Sequence, residues 1–290
     1  MKRLDVDHRL FKSLVTDRPF WWEAFRKDPN IYIDIRKDNK INVYYNGGAI
    51  IQELKHNGKS YTGKINYKYL LPAKSGDIKL KMSTSVFDIE KVSFGFLKMH
   101  DFEKALERIK VNISNHYPAN SEYGIQARFI LKTGNFLDSE FTFKNENYNH
   151  RIDLIWIDTT RRVILPVELK TMGDSRLYTD EITKQLETYA RFSKEFKEEI
   201  EKYYQKMFII KKNLGILPEG LDGIDSLAGY KLQEKPLLIF GDCEQSWIDT
   251  FSKKIDKKIE HTATGTYYFG KPFYSCDLIS KSKSNRHIYT

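Results

Sequence analysis

Asn149-His-Arg-Ile-Asp-Leu-Ile-Trp-Ile-Asp158, followed after a short turn by Val163-Ile-Leu-Pro-Val-Glu-Leu-Lys170, is the stretch on which the rest of the chain depends. The polar segment Asp158 to Arg162 between two apolar runs predicts a β-hairpin. Asp153 interrupts the first run between Ile152 and Leu154, and Glu168 and Lys170 close the second. Side chains alternate across a strand, so Glu168 and Lys170 share a face with Leu169 opposite. A hairpin that pairs Asp153 near the end of the second strand brings two carboxylates and an ammonium to one place. Hard oxygen ligands beside a cation suit a divalent metal and a water nucleophile. The carboxylates would hold Mg²⁺, or Mn²⁺ in its place, and the lysine would orient or deprotonate water.

This arrangement resembles the PD-(D/E)xK nuclease superfamily, in which an acidic residue ends one strand and an acidic-x-lysine triplet lies on the next. Here those positions are Asp153, Glu168 and Lys170. Downstream, Gln185-Leu-Glu-Thr-Tyr189 is similar to the glutamine-x-x-x-tyrosine pattern of the RecB-like branch, carried on the helix after the triplet. Upstream, Glu122 stands at the start of a predicted helix, where the superfamily commonly has a further acidic residue. The resemblance covers Pro118 to Arg191 and rests on these four elements in order, since the triplet alone is frequent by chance. Two positions depart from the pattern: Ile152 precedes Asp153 where proline is usual, and His150 stands where RecB-like sequences often have glycine.

The resemblance implies an α/β (α+β) fold with a restriction-endonuclease-like core, a mixed four-stranded sheet flanked by helices. It implies metal-dependent hydrolysis of DNA phosphodiesters, with RNA not excluded, and a role in phage defence, restriction or repair. Asp153, Glu168, the backbone carbonyl of Leu169 and Glu122 would be the metal ligands. Lys170 would act on the water, and Gln185 and Tyr189 would support the site and position substrate phosphate. The residues also admit plainer readings. Glu122 suits a helix N-terminus through the helix dipole alone. Tyr189 belongs to the apolar series Ile182, Leu186, Tyr189, and Asp153 and Glu168 would make ordinary ion pairs in a structural protein. The principal alternative is a catalytically inactive nuclease-fold protein that binds nucleic acid or a partner. The intact Asp, Glu, Lys and Gln set argues against such decay.

At 290 residues the chain is long enough for one large domain or two ordinary ones. It has no twenty-residue apolar run, so no membrane partner is expected. The charged start, Met1 to Arg9, does not suit a secretory signal, and two cysteines, Cys243 and Cys276, without metal-like spacing fit a reducing, cytoplasmic setting. The net charge of +9, with forty-eight Lys and Arg, attracts a polyanion, although abundant lysine also simply solvates a surface.

In chain order, Leu10 to Arg26 reads as helix broken at Pro19, its aromatics forming a local core. Alternating runs from Ile31, Ile41, Ala49 and Ser60 predict a meander with turns at Asp38-Asn39, Asn46-Gly47-Gly48 and Asn57-Gly58. Gly58-Lys59-Ser60 ends like a phosphate-binding loop, but Glu53 stands where that motif needs glycine, which favours a hairpin turn. Lys74 to Lys98 reads as an irregular connector. Helices are expected over His100–His116, from Asn120 or Ser121 to Thr133, over Tyr178–Met207 and over Gln245–Ile259. Strands are expected over Phe136–Phe143 and from Lys235 to Asp242. The lysine face of the last helix (Lys253, Lys254, Lys257, Lys258), the aromatics Tyr267, Tyr268, Phe269, Phe273 and Tyr274, and the basic tail after Lys281 could touch nucleic acid or simply solvate and pack. The resulting division is a β-rich module over 1–98, which would select substrate or mediate a protein or homo-oligomer contact, and a nuclease domain over 99–290.

Overall fold

The alternation that begins at Ile31 forms an antiparallel meander in the computed structural model, which describes residues 4–70, 76–89, 96–97, 99–144, 148–270 and 278–281. Two helices precede it, α1 (Arg9–Asp17) and α2 (Phe20–Lys27). They separate where Arg18 turns left-handed (φ 43°) and Pro19, lacking an N–H, cannot continue α1. The strands β1 (Ile31–Arg36), β2 (Lys40–Tyr45), β3 (Gly48–His56), β4 (Tyr61–Asn66), β5 (Asp77–Met82), β6 (Phe87–Ile89) and β7 (Phe96–Leu97) pair in sequence order in one sheet.

The turns lie where the sequence puts them. Asn46 (φ 46°) and Gly47 (φ 84°) both have positive φ, as a two-residue hairpin loop requires. A Cβ on Gly47 would also stand 2.6 Å from the Cβ of Tyr123. Gly58-Lys59-Ser60 is a hairpin turn, with the Asn57 side chain accepting both the Lys59 and Ser60 N–H at 2.9 Å. The expected connector over 74–98 is corrected in its described part. Residues 77–82 form a strand in which Lys79 and Lys81 are exposed and Leu80 and Met82 buried, so the scattered lysines are the outward half of an alternation.

Two further helices follow, α3 (Met99–His116) and α4 (Glu122–Thr133). Ser121 caps α4, its Oγ accepting the Gly124 N–H at 3.1 Å. Behind the first sheet, Trp21, Phe25, Phe87 and Phe102 meet edge to face, and Trp21 Nε1 donates to the Ser83 carbonyl at 2.8 Å. Each such fully buried ring contributes roughly 1.5–3 kcal/mol.

The second sheet contains β8 (Phe136–Lys144), β9 (Asn149–Asp158), β10 (Val163–Thr171), β11 (Lys231–Leu232), β12 (Leu237–Cys243), β13 (Gly265–Gly270) and β14 (Leu278–Lys281). Their order is β14-β13-β12-β10-β9-β8, with β11 also beside β10. The sheet is mixed: β8, β9 and β10 are antiparallel neighbours, while β10, β12 and β13 run parallel. Among the described residues seven strands stand where four were expected. The fully buried Tyr267, Tyr268 and Phe269 form one of the additional strands, β13, which extends the sheet past β12. The base-stacking alternative for these three is thereby corrected. Phe273, Tyr274, Cys276 and the tail beyond Lys281 lie outside the described residues.

The remaining helices are α5 (Glu181–Glu195), α6 (Lys197–Leu214) and α7 (Gln245–Ile259). The single helix expected over Tyr178–Met207 is interrupted at Phe196 (φ −107°, ψ 21°), whose ring packs on Phe143 and Phe192 at 5.0 and 5.2 Å. The chain is thus of mixed α+β class, with two sheets and seven α-helices among the described residues. None of these helices is long and apolar enough to cross a membrane.

Packing divides the chain into two compact units, one comprising residues 2–127 with 206–217 and the other residues 128–205 with 218–290. The second half of α6 joins the N-terminal unit through Lys211, whose Nζ lies 3.0 Å from the buried Asp34 carboxylate. A division into folding domains near Met99 remains a proposal for truncation experiments.

Candidate active site

The β9–β10 ladder runs from Val163 opposite Asp158 to Val167 opposite Leu154 and then stops. Beyond that point β10 continues against β12 as far as Thr171, while β9 stays beside β8. The two strands therefore fork where their apolar runs give way to charge, and the first residues past the fork are Asp153 and Glu168. Asp153 takes the place of a ladder partner: its Oδ2 accepts the Leu169 N–H at 3.0 Å.

Alternation along β10 places Glu168 and Lys170 on one face, and both are buried, at 1% and 2% exposure; Asp153 is at 7%. Glu168 Oε1 accepts from Lys170 Nζ and, at 2.7 Å, from Gln185 Nε2. Gln185 Nε2 also lies 3.0 Å from Tyr189 Oη, and that hydroxyl donates to the Arg151 backbone carbonyl on β9. The four-residue spacing of Gln185 and Tyr189 sets both on one side of α5. One side chain thus holds the Glu168 carboxylate and the other holds the strand carrying Asp153. Leu177, Ile182 and Leu186 seat this region in a core with Leu238, Phe240 and Tyr268.

The electrostatics are those of two carboxylates in a confined space. Burial, then the neighbouring Glu168 carboxylate, raises the Asp153 pKa well above the usual carboxylate range. The Leu169 N–H and the charges of Lys170 and Arg151 act in the opposite direction without overcoming it. Burial, then the same two carboxylates, raises the Tyr189 pKa, so its hydroxyl stays protonated.

Glu168 Oε2 and Gln185 Oε1 are buried with no hydrogen-bond partner. Buried oxygens in native proteins nearly always have one, so these two call for a cation, a water or a donor on a ligand. Among the described residues no three or more His, Cys, Asp and Glu side chains converge as a metal cluster. A pair of carboxylates still falls within what Mg²⁺ uses, since it takes one or two together with water and substrate phosphate. Glu122, the first residue of α4, belongs to the N-terminal unit, whereas Asp153, Glu168, Lys170, Gln185 and Tyr189 all belong to the C-terminal unit.

Three charged residues join the site that motif reasoning did not select. Asp174 Oδ2 lies 3.5 Å from Lys170 Nζ. Arg176 grips the same carboxylate from its Nε and Nη2, the latter at 2.6 Å. Burial acts to raise the Asp174 pKa, but the Arg176 hydrogen bonds and the Lys170 charge outweigh it and hold the carboxyl below its ordinary value. Arg151 Nε stands 3.8 Å from Asp153 Oδ1. Its place was legible, because two residues along a strand is the same face. Asp174 depends on the turn after β10, where the Asp174 N–H returns to the Thr171 carbonyl at 3.1 Å.

No family model, curated protein or solved structure matches this chain.

Proposed function

We propose that the chain is a metal-dependent nuclease that hydrolyses DNA phosphodiester bonds, with Asp153, Glu168 and Lys170 as its reactive group. The observation that carries this reading is the buried, unpartnered Oε2 of Glu168 at the strand fork beside Asp153. The topology around it, helix α4, antiparallel β8-β9-β10, helix α5 and parallel β12, supports the finer expectation of a restriction-endonuclease-like core. So does the Gln185–Glu168 hydrogen bond, which gives the RecB-like residue a direct task.

Asp153 and Glu168 would hold Mg²⁺ or Mn²⁺, with the Leu169 carbonyl as the further ligand of this unit that the resemblance implies. Bound there, the metal would supply Lewis-acid stabilisation of charge on the phosphate and lower the pKa of water. The chain's own contribution is orientation. Gln185 holds Glu168, the Leu169 N–H holds Asp153, and Lys170 presents a positive donor fixed between Glu168 and Asp174. Such a donor offsets negative charge that develops on a phosphate oxygen and positions a water without reorganising first. Gln185 and Tyr189 act mainly as supports, since their donors are directed to Glu168 and the Arg151 carbonyl.

The test is incubation of the full chain with labelled linear and circular DNA in Mg²⁺, Mn²⁺ or EDTA, beside Glu168→Gln. Cleavage that needs the metal and is absent in the variant is expected, and cut circles identify an endonuclease. DNA binding with no cleavage under any metal would favour the inactive nuclease-fold alternative, and neither binding nor cleavage would remove the proposal.

A further inference from the structure

We propose that the outward face of β3, β4 and β5 binds the phosphodiester backbone of a nucleic acid. The strand register collects lysines there. Lys55 lies opposite Thr62 and Thr62 opposite Lys81, while one pair along Lys64 faces Lys79 directly. Tyr61, Gly63, Ile65, Leu80 and Met82 are buried, and the intervening lysines point away from the core. Like charges directly opposite in an antiparallel pair destabilise a sheet, so the Lys64–Lys79 pair does nothing for the fold.

The same face is concave. A cavity of about 350 Å³ has Gly63 and Leu80 in its wall and the four lysines around it, with Glu53 as its one lining carboxylate. That carboxylate is already shared by Lys40, Lys64 and Lys55 at 3.2, 3.6 and 3.9 Å. A bulge sets it there: the register slips between Ile41–Leu54 and Val43–Ile51, and Glu53 adopts a positive φ of 52° with its N–H held by Asn42 at 2.7 Å. Among the described residues no ion pair involves Lys79, while Lys81 stands opposite Asp88 of β6 in the register. Asp77, the next outward residue of β5, accepts a hydrogen bond from Asn66 at 3.3 Å.

A cleft lined by one sign of charge focuses potential and concentrates an oppositely charged ligand. Outward residues recur about every 6.6–6.8 Å along a strand, and strands lie about 4.7–4.9 Å apart, so ammonium groups on mobile stems can follow successive phosphates. A bilayer is a poor fit to a concave face, and none of the exposed large apolar side chains, Val15, Val111, Tyr123, Tyr178 and Ile209, lies on these strands. No aromatic side chain lines the cavity, so contact would be to the backbone and would read no base sequence. The proposal concerns the N-terminal unit and binding alone, so it stands apart from the nuclease reading.

Fluorescence anisotropy of the full chain in EDTA tests it, using labelled single-stranded DNA, duplex DNA and RNA over about 50–200 mM salt. The variant is Lys55→Gln/Lys79→Gln/Lys81→Gln, and the control is Lys253→Gln/Lys254→Gln/Lys257→Gln on α7. In the first variant the slope of log affinity against log salt should fall by about 2–3 on duplex DNA, with roughly tenfold weaker binding on every sequence. Its melting temperature should not drop, because a like-charge pair has been relieved. The single Lys79→Gln should lower the slope by about 1. Wild-type affinity and slope in the triple variant would overturn the proposal, as would an equal loss in the α7 control or a wild type that binds no nucleic acid. Lost binding to phosphatidylserine vesicles with nucleic-acid binding unchanged would overturn it in favour of a lipid surface.

Discussion

Lys170→Met probes the site most directly, because Met is close to Lys in length and removes only the ammonium. Lys170 is 2% exposed and lies between the Glu168 and Asp174 carboxylates. Its loss leaves Glu168 and Asp153 buried together, with Arg151 3.8 Å from Asp153 and Arg176 held on Asp174. Breaking a buried ion pair from one side costs about 3–5 kcal/mol. The low end applies here, because burial and Glu168 already raise the Asp153 pKa and Gln185 stays on Glu168. At roughly 2–4 °C per kcal/mol, that is a fall of about 6–12 °C in EDTA. A divalent cation then replaces the missing charge. At a hundredfold excess over its Kd it would return about 2.7 kcal/mol, so Mg²⁺ should raise the melting temperature of the variant more than that of wild type. Cleavage should fall roughly 10²–10⁴-fold even in saturating Mg²⁺. Differential scanning fluorimetry and a plasmid-cleavage time course read both effects. Equal melting temperatures in EDTA, or an Mg²⁺ shift no larger in the variant, would refute the charge-compensation argument; near-wild-type cleavage would remove the main support for the nuclease assignment.

Glu168→Gln should keep its hydrogen-bonded place beside Gln185 and weaken Mn²⁺ binding by calorimetry, and unchanged metal affinity would count against Glu168 as a ligand. Asp256 accepts hydrogen bonds from Thr266 and, at 2.9 Å, from Tyr268, yet burial raises its pKa above the ordinary 3.8. A raised folded-state pKa means its stabilising contribution is complete below pH 3.8 and is lost as pH climbs through the folded value. The melting temperature of wild type minus that of Asp256→Asn should therefore decline from pH 4 upward and then level off, and a flat or rising difference would contradict this. In the N-terminal unit, Lys211→Met breaks a pair in which Lys211 and Asp34 are 3% and 2% exposed. Arg36 at 3.2 Å still partners Asp34, so the expected loss in urea unfolding is about 3 kcal/mol, and less than about 1 would show the pair to be unimportant.

The amino-acid sequence by itself determined whatever depends on near neighbours. Alternation of apolar and polar residues set the strands of the meander and the β9–β10 hairpin, because a strand's two faces follow from a two-residue period. Asn46-Gly47 and Asn57-Gly58 set the turns through their tolerance of positive φ or their local hydrogen bonds. Glu168 and Lys170 shared a face for the same reason, and Gln185 and Tyr189 did so on a helix. Tertiary structure decided what those faces meet. The fork at Asp153 and Glu168 exists because β12, on the other edge of β10, goes on pairing after β9 has stopped, and that pairing with a segment some seventy residues along the chain is encoded by no local period. The contact of Gln185 with Glu168 required the core that seats α5 on the sheet, and the arrival of Asp174 and Arg176 beside Lys170 required a particular turn after β10. The break at Phe196 and the transfer of 206–217 to the N-terminal unit were likewise hidden. Helical periodicity runs through both, and only burial of the Phe196 ring and pairing of Lys211 with Asp34 distinguish them from an ordinary helix.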